Sequence, residues 1–179
     1  ADGRAWALVA HRPDAAEARA DALVGLAADA LGIGRFGVAH RLLERATADT
    51  ADSGVPRQRV RLAWVGAELA MVSGRGEESV AHAERAVELV GDLDSPRHAV
   101  KTDVVYSAAL CSAGRFDESR RIADAALGRT QQFGLVPLTW ALGCLMSDIG
   151  SSERTPDEMT RIRDAAAATV RNRGGRWAG

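Results

Sequence analysis

The chain has 179 residues, a formal net charge of -1, 46% hydrophobic residues and 26% charged residues. These values exclude a disordered chain, which lacks the apolar content to offset its ordering entropy. A balanced charge also removes the electrostatic basis for nonspecific nucleic-acid binding. No apolar run reaches the roughly 18 residues a membrane helix needs, and no basic-then-apolar leader is visible, so a cytoplasmic protein is expected. The chain opens Ala1-Asp2 rather than with Met, as expected of a piece cut from a longer protein.

Taken in order, residues 1–14 carry Ala5-Trp6-Ala7-Leu8-Val9-Ala10, the expected closing helix of an earlier element, and then a break at Pro13-Asp14. A helix is predicted over 15–32, with Leu23, Leu26, Ala27, Ala30 and Leu31 forming one apolar stripe, stopped by Gly32 and Gly34. A second helix, 36–51, turns Ala39, Leu42, Leu43 and Ala46 inward. Helices follow over 57–73 and 77–91; the second of these buries Ala83, Ala86, Val87 and Val90. Pro56 and Pro96 suit the first turn of a helix, where no amide donor is needed. Further helices are expected over 97–113 and 117–132, and from near Pro137 to Gly150. The last starts on Thr155-Pro156-Asp157-Glu158, with Thr155 as N-cap, and ends near Asn172 before a tail at 174–179. No clean period-2 run of β-branched residues predicts a strand.

A repeat organises this series. Gly34, Gly74 and Gly114 are spaced 40 residues apart, each followed by arginine. A fixed period in this range marks a stack of similar units. In that register small residues align: Ala27, Ala67 and Ser107; Ala39, Ser79 and Ser119; Ala46, Ala86 and Ala126. Small side chains let two helix backbones approach closely, so these positions are predicted helix crossings.

Motifs with catalytic or cofactor chemistry have plainer explanations here. Gly32 to Gly37 fits G-x-G-x-x-G, but a dinucleotide site needs a preceding strand, and Gly-Arg-Phe recurs at 114–116 as a turn. His11, His40, His82 and His98 lack metal-ligand spacing and a paired nucleophile. Glu77-Glu78 and Asp117-Glu118 are carboxylate pairs, yet they sit where acids complement a helix dipole. Arg171, Arg173 and Arg176 make a basic end suited to a solvated helix C-terminus. Cys111 and Cys144 lie within apolar helical patterns and are expected as free buried thiols. No enzyme, cofactor or metal is expected.

With Ser107, Gly114, Phe116, Asp117-Glu118, Ser119 and Ala126 in register, and Leu142-Gly143 in the fourth unit, residues 15–172 resemble the tetratricopeptide repeat family. The unit is longer than the family's usual one of about 34 residues. The early bulky position of the first helix is a poor match: Leu23, Ala63, Asp103 and Thr139. The resemblance implies an all-α fold, a right-handed α-solenoid of antiparallel hairpins, with units at about 15–54, 55–94, 95–134 and 135–173. It further implies that the first helix of each unit lines a concave groove. The groove positions are Asp21, Val24, Ala28 and Leu31, then Arg61, Trp64, Glu68 and Met71. They continue with Lys101, Val104, Ala108 and Cys111, and end with Trp140 and Cys144. Members that clamp a peptide carboxylate carry Asn where this chain has Val24, Trp64, Val104 and Trp140, so that clamp is absent. The expectation is a non-catalytic scaffold whose apolar groove binds a protein or hydrophobic peptide. Two alternatives stand beside it. One is the sensing domain of a larger bacterial transcriptional regulator, to which 40-residue repeats are similar. The other is a self-association module forming a homodimer. Neither nucleic-acid nor membrane binding is expected.

Overall fold

The computed structural model describes residues 13–51 and 55–175, and among these the chain is all-α: eight helices and no strand. They are α1 Pro13–Gly32, α2 Phe36–Ala51, α3 Pro56–Val72, α4 Gly76–Val90, α5 Pro96–Ser112, α6 Phe116–Gln132, α7 Val136–Ile149 and α8 Pro156–Asn172. The expected spans hold to within a residue or two, because local signals set them. Thr155 makes the expected capping box with Glu158, and Ser95 caps α5 by accepting from the His98 amide. The element expected before Pro13 and the tail from Arg176 lie outside the described residues.

The helix ends repeat as geometry. Gly34, Gly74, Gly114, Gly134 and Gly174 have φ between 63 and 85°, the left-handed region that glycine enters without a Cβ penalty. Beyond each, the next residue donates its N–H five residues back: Arg35 to Ala30, Arg75 to Ala70, Arg115 to Leu110, Leu135 to Thr130 and Gly175 to Val170, at 2.8–3.0 Å. This is the Schellman closure. It recurs at 40-residue intervals in two registers, 34/74/114 and 134/174.

All nine aligned small residues, from Ala27 to Ala126, are 0% exposed. Around them lie three apolar clusters, centred on Leu23–Leu43–Leu69, on Val80–Val105–Leu110 and on Leu127–Leu142–Met146. Two residues expected inward point outward instead: Leu26 is 55% and Val87 41% exposed. Each adjoins a crossing alanine, Ala27 or Ala86, and one step along a helix rotates a side chain about 100° away from it.

Consecutive helices pack on one another along the chain. In addition α1 packs on α3, α3 on α5 and α5 on α7, whereas no two even-numbered helices approach within 8 Å, Cα to Cα, among the described residues. The last pair departs from the others by one helical turn. At 14 residues α7 is shorter than α5 at 17, and the segment 150–155 takes up the difference. Gly143 therefore meets α8 at a crossing one turn early. A Cβ there would lie 2.9 Å from the Cβ of Arg163, so any larger residue forces the two helices to shift. Asp124 of α6, only 3% exposed, secures the long turn. It accepts from the Ser152 amide at 2.8 Å, from the Ser151 hydroxyl at 2.5 Å and from the Arg154 guanidinium at 3.2 Å.

Candidate functional site

The expected groove residues belong to the odd-numbered helices, which are the ones that stack on each other. Charged side chains bridge that stack. Asp21 of α1 pairs with Arg61 and, at 3.6 Å, with Arg57 of α3. Glu68 of α3 accepts from Lys101 of α5 at 2.8 Å. These rungs are partly exposed, so each is worth only about 0–1 kcal/mol. Their value lies in holding the side chains in fixed places.

Trp64 sits between α3 and α5. Its indole Nε1 donates to the Thr102 hydroxyl at 3.0 Å, its ring stacks on His98 with centroids 5.5 Å apart, and Lys101 Nζ lies 5.9 Å from the ring centroid. The bond to Thr102 satisfies a hydroxyl that is 1% exposed. The contact with Lys101 is within cation–π range. His98 is held from its other side by Ser95, whose hydroxyl is 2.7 Å from Nδ1. Burial, then the neighbouring Arg57, Arg97 and Arg61 charges, push the His98 pKa below its ordinary value.

Beside this cluster opens a cavity of about 690 Å³, within the size range of small-ligand sites. One wall is basic: Arg57, Arg61, Arg97 and Lys101. The other is apolar: Leu135, Pro137 and Leu138, from the start of α7. Among the described residues the lining holds no Asp or Glu. The face is thus more basic than the apolar groove expected.

The predicted residues divide between this site and the interior. Arg61, Trp64 and Lys101 line the cavity, while Glu68 touches it only through Lys101. Val104 is 7% exposed and belongs to the core beneath α6 to α8, as Val24 belongs to the core of α1 to α3, so neither is on an open face. They occupy the register position of Trp64; valine fits the slot between helices, while the larger indole projects from it. Met71 is half-buried against the middle cluster. Trp140 and Cys144 are half-buried on α7 and are absent from the cavity lining. Cys144 and Cys111 are free thiols, partly rather than fully buried, and burial raises both pKa values.

Arg57, Arg97, His98 and Thr102 join the site only in the folded structure. A signal for two of them exists in the chain: Arg57 and Arg97 are 40 residues apart, each directly after a helix-opening proline. The carboxylate pairs lie where expected, at helix N-termini. Glu77-Glu78 and Asp117-Glu118 fall in the first turns of α4 and α6. Arg115 grips Glu118 with two bonds of 2.7 and 2.8 Å, which holds that carboxyl below its ordinary range. No cluster of three His, Cys, Asp or Glu suited to a metal occurs among the described residues. No helix among them is long and apolar enough to cross a membrane.

Compared with known proteins, the chain matches no family model, no curated protein and no solved structure.

Proposed function

We propose that the chain is a non-catalytic binding scaffold: a right-handed α-solenoid of antiparallel helix hairpins, similar to tetratricopeptide repeats, acting in the cytoplasm. The observation that carries this reading is the packing asymmetry. Among the described residues the backbone of each odd-numbered helix packs near the next odd-numbered helix, and the backbones of even-numbered ones stay apart. Helix pairs stacked in this way leave one face on which equivalent residues line up, and such a face suits an extended partner. Trp64, presented there with Arg61 and Lys101, is the anchor for a protein or peptide. The test is the affinity of Trp64→Ala for a partner isolated with the wild-type chain and then purified. A loss of about tenfold or more with unaltered helical circular dichroism is expected, the size of an interface hot spot. An unchanged affinity refutes the assignment of the face.

The cavity beside Trp64 favours a second reading, a ligand-sensing domain of a larger bacterial transcriptional regulator. A small molecule entering the cavity changes the surroundings of the Trp64 indole, so tryptophan emission responds to it. An emission spectrum indifferent to every compound that binds the chain counts against this reading. Self-association through the same face is distinguished by sedimentation: a dimer that Trp64→Ala dissociates supports it.

A further inference from the structure

The basic wall of the cavity is electrostatically unusual within this chain. The even-numbered helices α4, α6 and α8 each carry two acids in their first turn: Glu77 and Glu78, Asp117 and Glu118, Asp157 and Glu158. Acids there complement the positive end of the helix dipole. Helices α3, α5 and α7 have none. Instead Arg57 and Arg97 occupy the first turns of α3 and α5, where a cation opposes the dipole. Those two residues and Lys101 then share one cavity wall, crowding like charges. Among the described residues, only Asp21 and Glu68 answer the four cations of the wall, and Arg97 has no carboxylate partner. A cation at the positive end of a helix dipole is relieved by a bound negative charge. Leu135, Pro137 and Leu138 add an apolar surface to the same cavity.

We infer that this cavity is a binding site for an organic anion with an apolar body, its carboxylate, sulfonate or phosphate group held by Arg57, Arg97 and Lys101 and its apolar part against Leu135, Leu138 and the edge of Trp64. The inference rests on the ligand-sensing reading above and adds the chemical class of ligand. The neutral state favoured for His98 suits this assignment: the ring packs on Trp64 and leaves the charge-pairing to the guanidinium and ammonium groups.

Two fluorescent dyes of one skeleton test it: 8-anilinonaphthalene-1-sulfonate, and N-phenyl-1-naphthylamine, which lacks the sulfonate. The full chain is titrated with each, with circular dichroism confirming the fold of every variant. The sulfonate dye is expected to bind about tenfold tighter or better, as charge-assisted hydrogen bonds contribute that much. Its affinity should fall with added salt, and by about tenfold in Arg97→Gln/Lys101→Gln, with the neutral dye unaffected by either change. Equal affinities for the two dyes, both lost in Trp64→Ala, overturn the anion site and leave the binding face intact. Dye binding that ignores Trp64, Arg97 and Lys101 alike, or no binding of either dye at millimolar concentration, overturns both.

Discussion

Replacing Ala86 by leucine tests the physical basis of the repeat. Ala86 is 0% exposed on α4, a helix that packs on α3 before it and α5 after it. Its register mates Ala46 and Ala126 are equally buried. Leucine adds three carbons at a point sealed from solvent between packed helices, so α4 is expected to shift away from a neighbour or the side chain to leave its rotamer. Either response costs about 1–3 kcal/mol. Because a stack is stabilised by nearest-neighbour interfaces, displacing α4 weakens two of them at once. For a chain of this size each kcal/mol lowers the melting temperature by about 2–4 °C, giving an expected drop of roughly 2–12 °C. Ala81→Leu is the control. It lies on the same helix but is exposed, and leucine is nearly as good a helix former as alanine. Thermal melts followed at a helical circular dichroism band read both variants. If Ala86→Leu melts with Ala81→Leu, position 86 is not a tight crossing and the small-residue argument fails.

Other perturbations probe separate parts of the molecule. Asp124→Ala removes the acceptor for Ser151, Ser152 and Arg154; it should cost about 3–5 kcal/mol, the range for breaking a buried pair, measured by urea denaturation. Asp124→Asn keeps an acceptor oxygen and should cost clearly less; equal losses would show that the charge, not the hydrogen-bond geometry, holds the turn. Gly114→Ala forces a Cβ into φ 77° and should destabilise by about 1 kcal/mol or more, whereas Gly128→Ala, mid-helix with open space around it, should be neutral or stabilising. Glu118 and Glu158 titrate below their ordinary value of 4.5, through Arg115 and through the Thr155 amide. As pH falls, the unfolded chain binds these protons first, so stability present above about pH 4.5 is lost on acidification through the lowered native values. Melts between about pH 6 and about pH 3 should show this decline, and Glu118→Gln should flatten it.

Much of this protein is decided within short windows of chain, which is why it is legible from residues alone. A Schellman closure needs only a glycine, the four residues before it and the one after it, and a capping box needs only Thr155 to Glu158. Helix limits, the 40-residue period and the burial of small residues all follow from such local rules, and the all-α class follows from them. Which helical faces meet is not local. The pairing of Trp64 with Thr102, of Lys101 with Glu68 and of Arg61 with Asp21 joins residues 33 to 40 apart, through the rotation of one helix against another. That rotation also buries Val104 where Trp64 projects, although both hold the same place in the repeat. Periodicity marks the position; the volume of the side chain and the neighbour opposite decide whether it becomes core or cavity wall. The basic wall likewise needed the tertiary structure, because Arg57, Arg97 and Lys101 share a cavity only once α3 and α5 lie side by side.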